Sequence, residues 1–189
     1  DQKVREVSVE NCTFAWNLAS GNIVPTDLLA YVGTVNVKNS IFYGGVRRAA
    51  AANAGDYGKY MHTAVNGVIN LSYSMFDIDI EEAVKGTGPV TIDESCMVDN
   101  PSFVSGDTLN LTVRSSTVPG MAYDEGMEKI AATGDVHLVT VAGYFDNDGV
   151  LHTGGDVVSP AIDAGDPADD FSLEPQPNGN FINLGAYGN

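Results

Sequence analysis

A short unit that alternates apolar and polar residues recurs along this chain, and a recurring strand restricts the available folds more than any other feature of a sequence. Val7-Ser-Val9-Glu-Asn11-Cys-Thr-Phe14 returns as Val35-Asn-Val37-Lys-Asn39-Ser-Ile-Phe42 and as Ile69-Asn-Leu71-Ser-Tyr73-Ser-Met-Phe76. A less close copy is Val90-Thr-Ile92-Asp-Glu94-Ser-Cys-Met97, and the starts are 28, 34 and 21 residues apart. Each unit alternates over five positions, the pattern of a strand with one buried face. A small polar residue and an apolar anchor follow. Leu109-Asn-Leu111-Thr-Val113 is a fifth alternating run, but Arg114-Ser-Ser after it no longer matches.

The segments between the units are glycine-rich, and helical patterning is confined to Ala49–Ala54 and Asp124–Ala132. Parallel strands need a long crossover, which strand and turn supply as well as helix. The pattern therefore predicts an all-β parallel solenoid. The competing reading is an antiparallel β-sandwich with irregular strand spacing. The Asn/Ser-x-Phe that returns after the alternation favours the solenoid, since a sandwich has no reason to repeat it. Stacking places Asn11 in line with Asn39, as an amide ladder, and Cys12 in line with Ser40, Ser74 and Ser95. Cys12 and Ser95 then lie three turns, ~14 Å, apart, which keeps Cys96 distant from Cys12 as well. A disulfide needs Cα atoms within ~7 Å, so two free, buried thiols are expected.

The chain's 189 residues suit one domain. Its 25 acidic and 9 basic residues give a formal charge of −16, the wrong sign for a nucleic-acid backbone, so nucleic acid is not an expected partner. The second half is the more acidic, with 14 acids against Arg114 and Lys129 beyond residue 94. No run approaches the ~18 apolar residues of a membrane span. Asp1 to Glu10 show no basic start and apolar stretch of a signal peptide. Val4 to Val9 enter the repeat directly, and an uncapped N-terminal turn is expected either to follow more protein before Asp1 or to be covered by self-association or another chain.

From residue 156 the sequence turns to Gly, Pro and Asp, which divides the domain into solenoid turns over 1–155 and an irregular C-terminal cap over 156–189. This cap is expected to fold over the end of the column. Ser159-Pro-Ala-Ile-Asp-Ala-Gly-Asp-Pro167, Glu174-Pro-x-Pro-Asn-Gly179 and Ile182-Asn-Leu-Gly-Ala-Tyr-Gly188 resemble the terminal segment of bacterial secreted right-handed parallel β-helix proteins, the adhesin-like and polysaccharide-lyase-like group. His137-Leu138 to Gly143-Tyr144 resembles the strand and Gly-aromatic step before it. Asn100-Pro-x-Phe103 resembles a recurrent Asp-Pro-x-Phe step, with Asn100 in place of Asp. The resemblance covers roughly 90–189. It implies a right-handed parallel β-helix and an extracellular or cell-surface setting, and no single reaction.

Candidate sites follow from residue chemistry. Asp77 and Asp79, if alternation continues, share a face, and paired carboxylates serve glycoside hydrolysis as acid and as base or nucleophile. The return from Gly44 to Asn66 carries Arg47, Arg48, Asp56, Tyr57, Lys59, Tyr60 and His62. Arg47 or Lys59 would neutralise a uronate, and Tyr60, Lys59 or His62 would take the proton beside it, as a polysaccharide lyase requires. The plainer readings are a charged strand edge and an exposed insertion. Asp163, Asp166, Asp169 and Asp170 offer oxygens for calcium, against turn-capping by aspartate, which is preferred. Otherwise no cofactor is expected. His62, His137 and His152 are isolated in sequence, with His137 read as a packed residue. Asp146-Asn-Asp-Gly149 reads as a hairpin turn. The function expected is an extracellular or cell-surface scaffold contacting polysaccharide or neighbouring subunits without catalysis; the alternative is a lyase or glycoside hydrolase.

Overall fold

The structure is a computed structural model, and it describes residues 5–19, 25–47, 58–104, 135–141, 143–145, 150–152, 157–174 and 179–187. It is all-β, with parallel sheets. The first sheet runs β1 (Glu6–Glu10), β4 (Leu28–Lys38), β7 (Met61–Ser72) and β10 (Val90–Ile92), with β9 (Val84–Gly86) also on β7. The second runs β2 (Thr13–Ala15), β5 (Ile41–Tyr43), β8 (Met75–Phe76) and β11 (Met97–Val98). The chain leaves the first sheet, adds a strand to the second, and returns one strand further along. A short parallel pair, β3 (Leu18–Ala19) and β6 (Val46–Arg47), lies between returns. Among the described residues the one helix, α1 (Ile80–Ala83), has four residues, and no helix there is long and apolar enough to cross a membrane. β12 (Tyr144–Phe145) and β13 (Leu151–His152) pair antiparallel on either side of the expected hairpin turn.

The register follows the repeat residue by residue. Val7 pairs with Val35, Val35 with Ile69, and Ile69 with Val90. Inside, Phe14, Phe42 and Phe76 stack with centroids 4.8 and 5.2 Å apart and planes 5° and 10° from parallel. Val37, Ile69 and Leu71 face them across the gap between the sheets. The outer side of the second sheet is also covered: Ile41 and Met75 pack on Phe103, Leu138, Ala161 and Leu184.

Four expectations need correction. The fourth unit has one extra residue at its bend, so Met97 pairs with Met75 and Val98 with Phe76, and Cys96 rather than Ser95 stands level with Ser74. Ser95 instead accepts the Tyr73 N–H at 2.8 Å. Second, Asn11 and Asn39 share a column but form no amide ladder. They turn the chain at φ 51° and 49°, with Tyr73 at 43°, a left-handed bend that Asn tolerates better than most residues. The amide ladder lies on the strands, where Asn70 donates to Asn36 at 2.8 Å and Asn36 to Glu6 at 2.6 Å. Third, Cys12 and Cys96 are free but only half-buried. The Cys12 thiol donates to the Glu10 carbonyl just as the Ser40 and Ser74 hydroxyls donate two residues back. Fourth, the C-terminal segment lies against the side of the second sheet instead of over the column's end. Gly185 N–H donates to the Asn39 carbonyl at 2.8 Å and Ala186 N–H to Thr13 Oγ1 at 3.0 Å, two neighbouring levels of one sheet. Outward Ile41 and Met75 need apolar cover, and the segment supplies it.

Leu109–Val113, Ala49–Ala54, Asp124–Ala132, Arg48, Asp56 and Tyr57 lie outside the described residues, as do residues 1–4 of the N-terminal turn. Within the described residues β1 is the outer strand of its sheet, and Val7 is half-exposed.

Candidate functional site

The repeat brings three bends together where the second sheet gives way to the next strand of the first. Thr26 N–H donates to the Lys59 carbonyl at 2.9 Å and Asp27 N–H to the Tyr60 carbonyl at 3.1 Å, so the residues entering β4 sit on those entering β7. Lys59 N–H and Tyr60 N–H in turn donate to the Glu82 and Ala83 carbonyls, both at 2.9 Å. Asn17 follows β2, Gly44 and Gly45 follow β5, and Asp77 follows β8, so the ends of three strands close the same corner.

Asp77 is the hub. It accepts from Tyr60 Oη at 2.5 Å and from the Gly44 N–H at 2.8 Å, and Lys59 Nζ lies 3.4 Å from its Oδ1 and 3.5 Å from its Oδ2. Tyr60 is fully buried, and its Oη also accepts the Gly45 N–H at 3.3 Å. The Lys59 ammonium lies 4.7 Å from the Tyr60 ring centroid. Glycine at 45 is a packing requirement, since a Cβ there would stand 2.6 Å from the Tyr60 ring. Burial, with the Asp77 carboxylate, holds the Tyr60 phenol protonated far above its ordinary range, so Tyr60 acts as a donor.

Asp27 is the second carboxyl of the corner. Asn17 Nδ2 donates to its Oδ1 at 2.5 Å, and Thr26 Oγ1 lies 2.7 Å from its Oδ2. Burial pushes its carboxyl up, only partly offset by the Asn17 and Thr26 hydrogen bonds and by Lys59, while the Asp77 charge pushes in the same upward direction. The corner thus holds two carboxyls, an ammonium and a neutral phenol. Asp77 and Lys59 keep 18% and 25% of their side chains open to solvent, so it is not sealed.

Lys59, Tyr60 and Asp77 come from two separate sequence candidates and meet here. Asp79 does not join Asp77: β8 ends at Phe76, and Asp79 caps α1 by accepting the Glu81 N–H at 2.9 Å. Alternation fails because the chain turns into a helix. His62 lies further along β7, between Leu29 of β4 and Lys85 of β9, where burial lowers its imidazole's proton affinity. Arg47 ends β6 opposite Ala19, and its side chain lies outside the described part. Asp27, Asn17 and Thr26 were not expected from the sequence. Extending the repeat backwards from Leu28 and Met61, which pair, would have set Asp27 on Tyr60.

The C-terminal aspartates are each engaged locally. Lys38 Nζ reaches Asp166 at 2.9 Å and Asp169 at 2.7 Å, and Asn39 Nδ2 donates to Asp169 at 2.7 Å. Asp163 accepts the N–H of Asn180 and Phe181, at 3.1 and 3.2 Å, and Asp170 accepts the Ser172 N–H at 2.8 Å. Among the described residues no three His, Cys, Asp or Glu form a group able to hold a metal ion. His137 stacks on Tyr187 with ring centroids 3.8 Å apart and holds Asp135 through Nδ1 at 2.5 Å. No family model, curated protein or solved structure matches the chain.

Proposed function

We propose that the two sheets and their returns are successive coils of a right-handed parallel β-helix, forming an extracellular or cell-surface module whose lateral faces contact carbohydrate or neighbouring subunits. The register carries this reading. Ser8, Asn36, Asn70 and Thr91 are paired in line across β1, β4, β7 and β10, on the opposite face from the core valines. Strands ~4.8 Å apart make them a flat row of hydroxyls and amides, groups that both donate to and accept from sugar hydroxyls. The resemblance of the C-terminal segment to secreted β-helix proteins supports the extracellular setting. Binding to immobilised polysaccharides tests the reading. Thr91→Arg, which thrusts a long charged side chain into the row, is expected to weaken binding at least tenfold. A protein that binds no polysaccharide and remains monomeric under non-denaturing conditions would refute it.

A second reading, a polysaccharide lyase or glycoside hydrolase, is favoured by one observation: Lys59, Tyr60 and Asp77 converge with Asp27 at a partly open corner. Release of new chain ends from a polysaccharide, lost in a folded Asp77→Asn variant, tests it.

A further inference from the structure

The sole tryptophan of the chain stands in a backbone conformation that large side chains avoid. Trp16 lies between Ala15, which pairs with Tyr43, and Leu18, which pairs with Val46, so it occupies the bend that Gly44 makes one level along. Both bends are left-handed, at φ 55° and 63°. Glycine takes such a bend freely, whereas a side chain strains it. Strain kept at a bulky aromatic points to a use for the ring. The bend holds the indole at the corner. Its ring meets those of Tyr43 and Phe103 edge-on, with centroids 6.1 and 5.8 Å away. A Cβ at 44 would stand 2.7 Å from Trp16 Cδ1 and 3.0 Å from its Nε1, so the indole edge lies against the Gly44 backbone. The Gly44 N–H donates to Asp77 Oδ2 at 2.8 Å. Summing that bond, the covalent links of Gly44 and the Cβ contact puts the indole edge no more than ~9 Å from the carboxylate. Trp16 is only half-buried, and among the described residues nothing accepts its indole N–H. Asp77 receives one short hydrogen bond on each oxygen, from Tyr60 and Gly44, which leaves acceptor sites on its solvent-exposed side.

We propose that Trp16 and the Asp77 carboxylate form a binding subsite for one unit of an uncharged polysaccharide, with the C–H face of the sugar on the indole and a hydroxyl donating to Asp77. This rests on the reading of a module whose lateral faces contact carbohydrate, and deepens it by naming a subsite and a ligand class. The face of an aromatic ring is its negative part and attracts the C–H groups of a sugar. A carboxylate only accepts, and a sugar hydroxyl supplies the proton. The indole N–H, beside Gly44, is a second donor for a sugar oxygen. A uronate fits poorly: its carboxylate would face Asp77, and the ammonium of this corner, Lys59, is already held by Asp77. The chain's charge of −16 further repels a polyanion.

Because Trp16 is the sole tryptophan, its fluorescence reports on this subsite in the wild-type chain, with no variant needed to fold. Glucan, mannan and xylan oligosaccharides are titrated in turn while emission and quenching by acrylamide are followed. A saturable change in emission, with acrylamide access reduced by the bound sugar, is expected for at least one of them. Trp16→Gly copies the residue at the equivalent bend of the next level, and is expected to weaken binding to the same immobilised polysaccharide at least ~10-fold, the scale of truncating an aromatic anchor. Polygalacturonate should bind at least ~10-fold more weakly than the neutral chain at low salt; equal binding would overturn the ligand class. Binding that leaves Trp16 emission and quenching unchanged, or that a folded Trp16→Gly variant keeps in full, would overturn the subsite while leaving carbohydrate contact elsewhere on the lateral faces in place. Wild-type protein that binds none of the three would remove the carbohydrate reading together with this subsite.

Discussion

Removing the Tyr60 hydroxyl measures how strongly the corner is bound together. Tyr60→Phe leaves the ring in place against Phe42 and Phe76, whose centroids lie 6.0 and 6.3 Å away, so packing is nearly conserved. Two polar groups lose their partner. The buried Gly45 N–H has its acceptor in Tyr60 Oη, and leaving such a group unpaired costs about 1–3 kcal/mol. Asp77 loses a hydrogen bond of the charged kind, about 1.5–3 kcal/mol, but it retains Gly44 and Lys59 and its 18% exposure admits water. The expected loss is about 2–4 kcal/mol by urea unfolding. A double-mutant cycle with Asp77→Ala isolates the shared bond, and a coupling of about 1.5–3 kcal/mol is expected. A coupling below about 0.5 kcal/mol would show that the Tyr60–Asp77 contact is not a working hydrogen bond, and the corner's assembly as described would be wrong.

Phe42→Ala, at the middle of the ring stack and fully buried, should cost about 3–5 kcal/mol, against roughly half for half-buried Phe14→Ala at the end; equal costs measured by urea unfolding would contradict the stacking. Gly67→Ala would set a Cβ 1.8 Å from the Ala30 carbonyl oxygen, so the β4–β7 pairing must part there, and hydrogen exchange at Val68 and Ile69 should quicken while that at Met97 changes little. Lys38→Met frees the Asp166–Asp169 clamp and should cost about 0.5–1 kcal/mol at neutral pH and low salt. Capping by the Ala168 N–H and the Lys38 ammonium hold the Asp166 carboxyl below its ordinary range. A lowered carboxyl contributes stability above the ordinary aspartate range and loses it as pH falls through the depressed value. The difference between wild type and Lys38→Met should therefore shrink on acidification, and a difference that grows instead would reject the clamp.

The strands and their alignment were legible because a strand's faces alternate by local sterics, and equivalent faces stack when the same core is continued. Val7, Val35, Ile69 and Val90 therefore announce both the strand and its partner. The slips between levels were not legible. β7 carries one residue more than β4 between Ala30 and Val32, taken up at Val65 with φ 52°, so the offset between the two strands is 33 residues before that bulge and 34 after it. That single residue conceals the pairing of Asp27 with Tyr60 from anyone aligning the units that follow. Asp79 was misplaced for a related reason: a residue that alternates in a strand caps a helix once the chain turns, and the turn is decided by what packs around it.

By itself the sequence determined the all-β class and the inward column of Val, Ile and Phe, both consequences of period-two alternation, whereas the left-handed bends at Asn11 and Asn39 were seen only in the structure. The tertiary structure alone decided that Asp27, Lys59, Tyr60 and Asp77 share one corner, and that the C-terminal segment lies along the second sheet. Contacts between levels depend on loop lengths and single-residue bulges, which change which side chains meet without altering the alternation that reveals the strands.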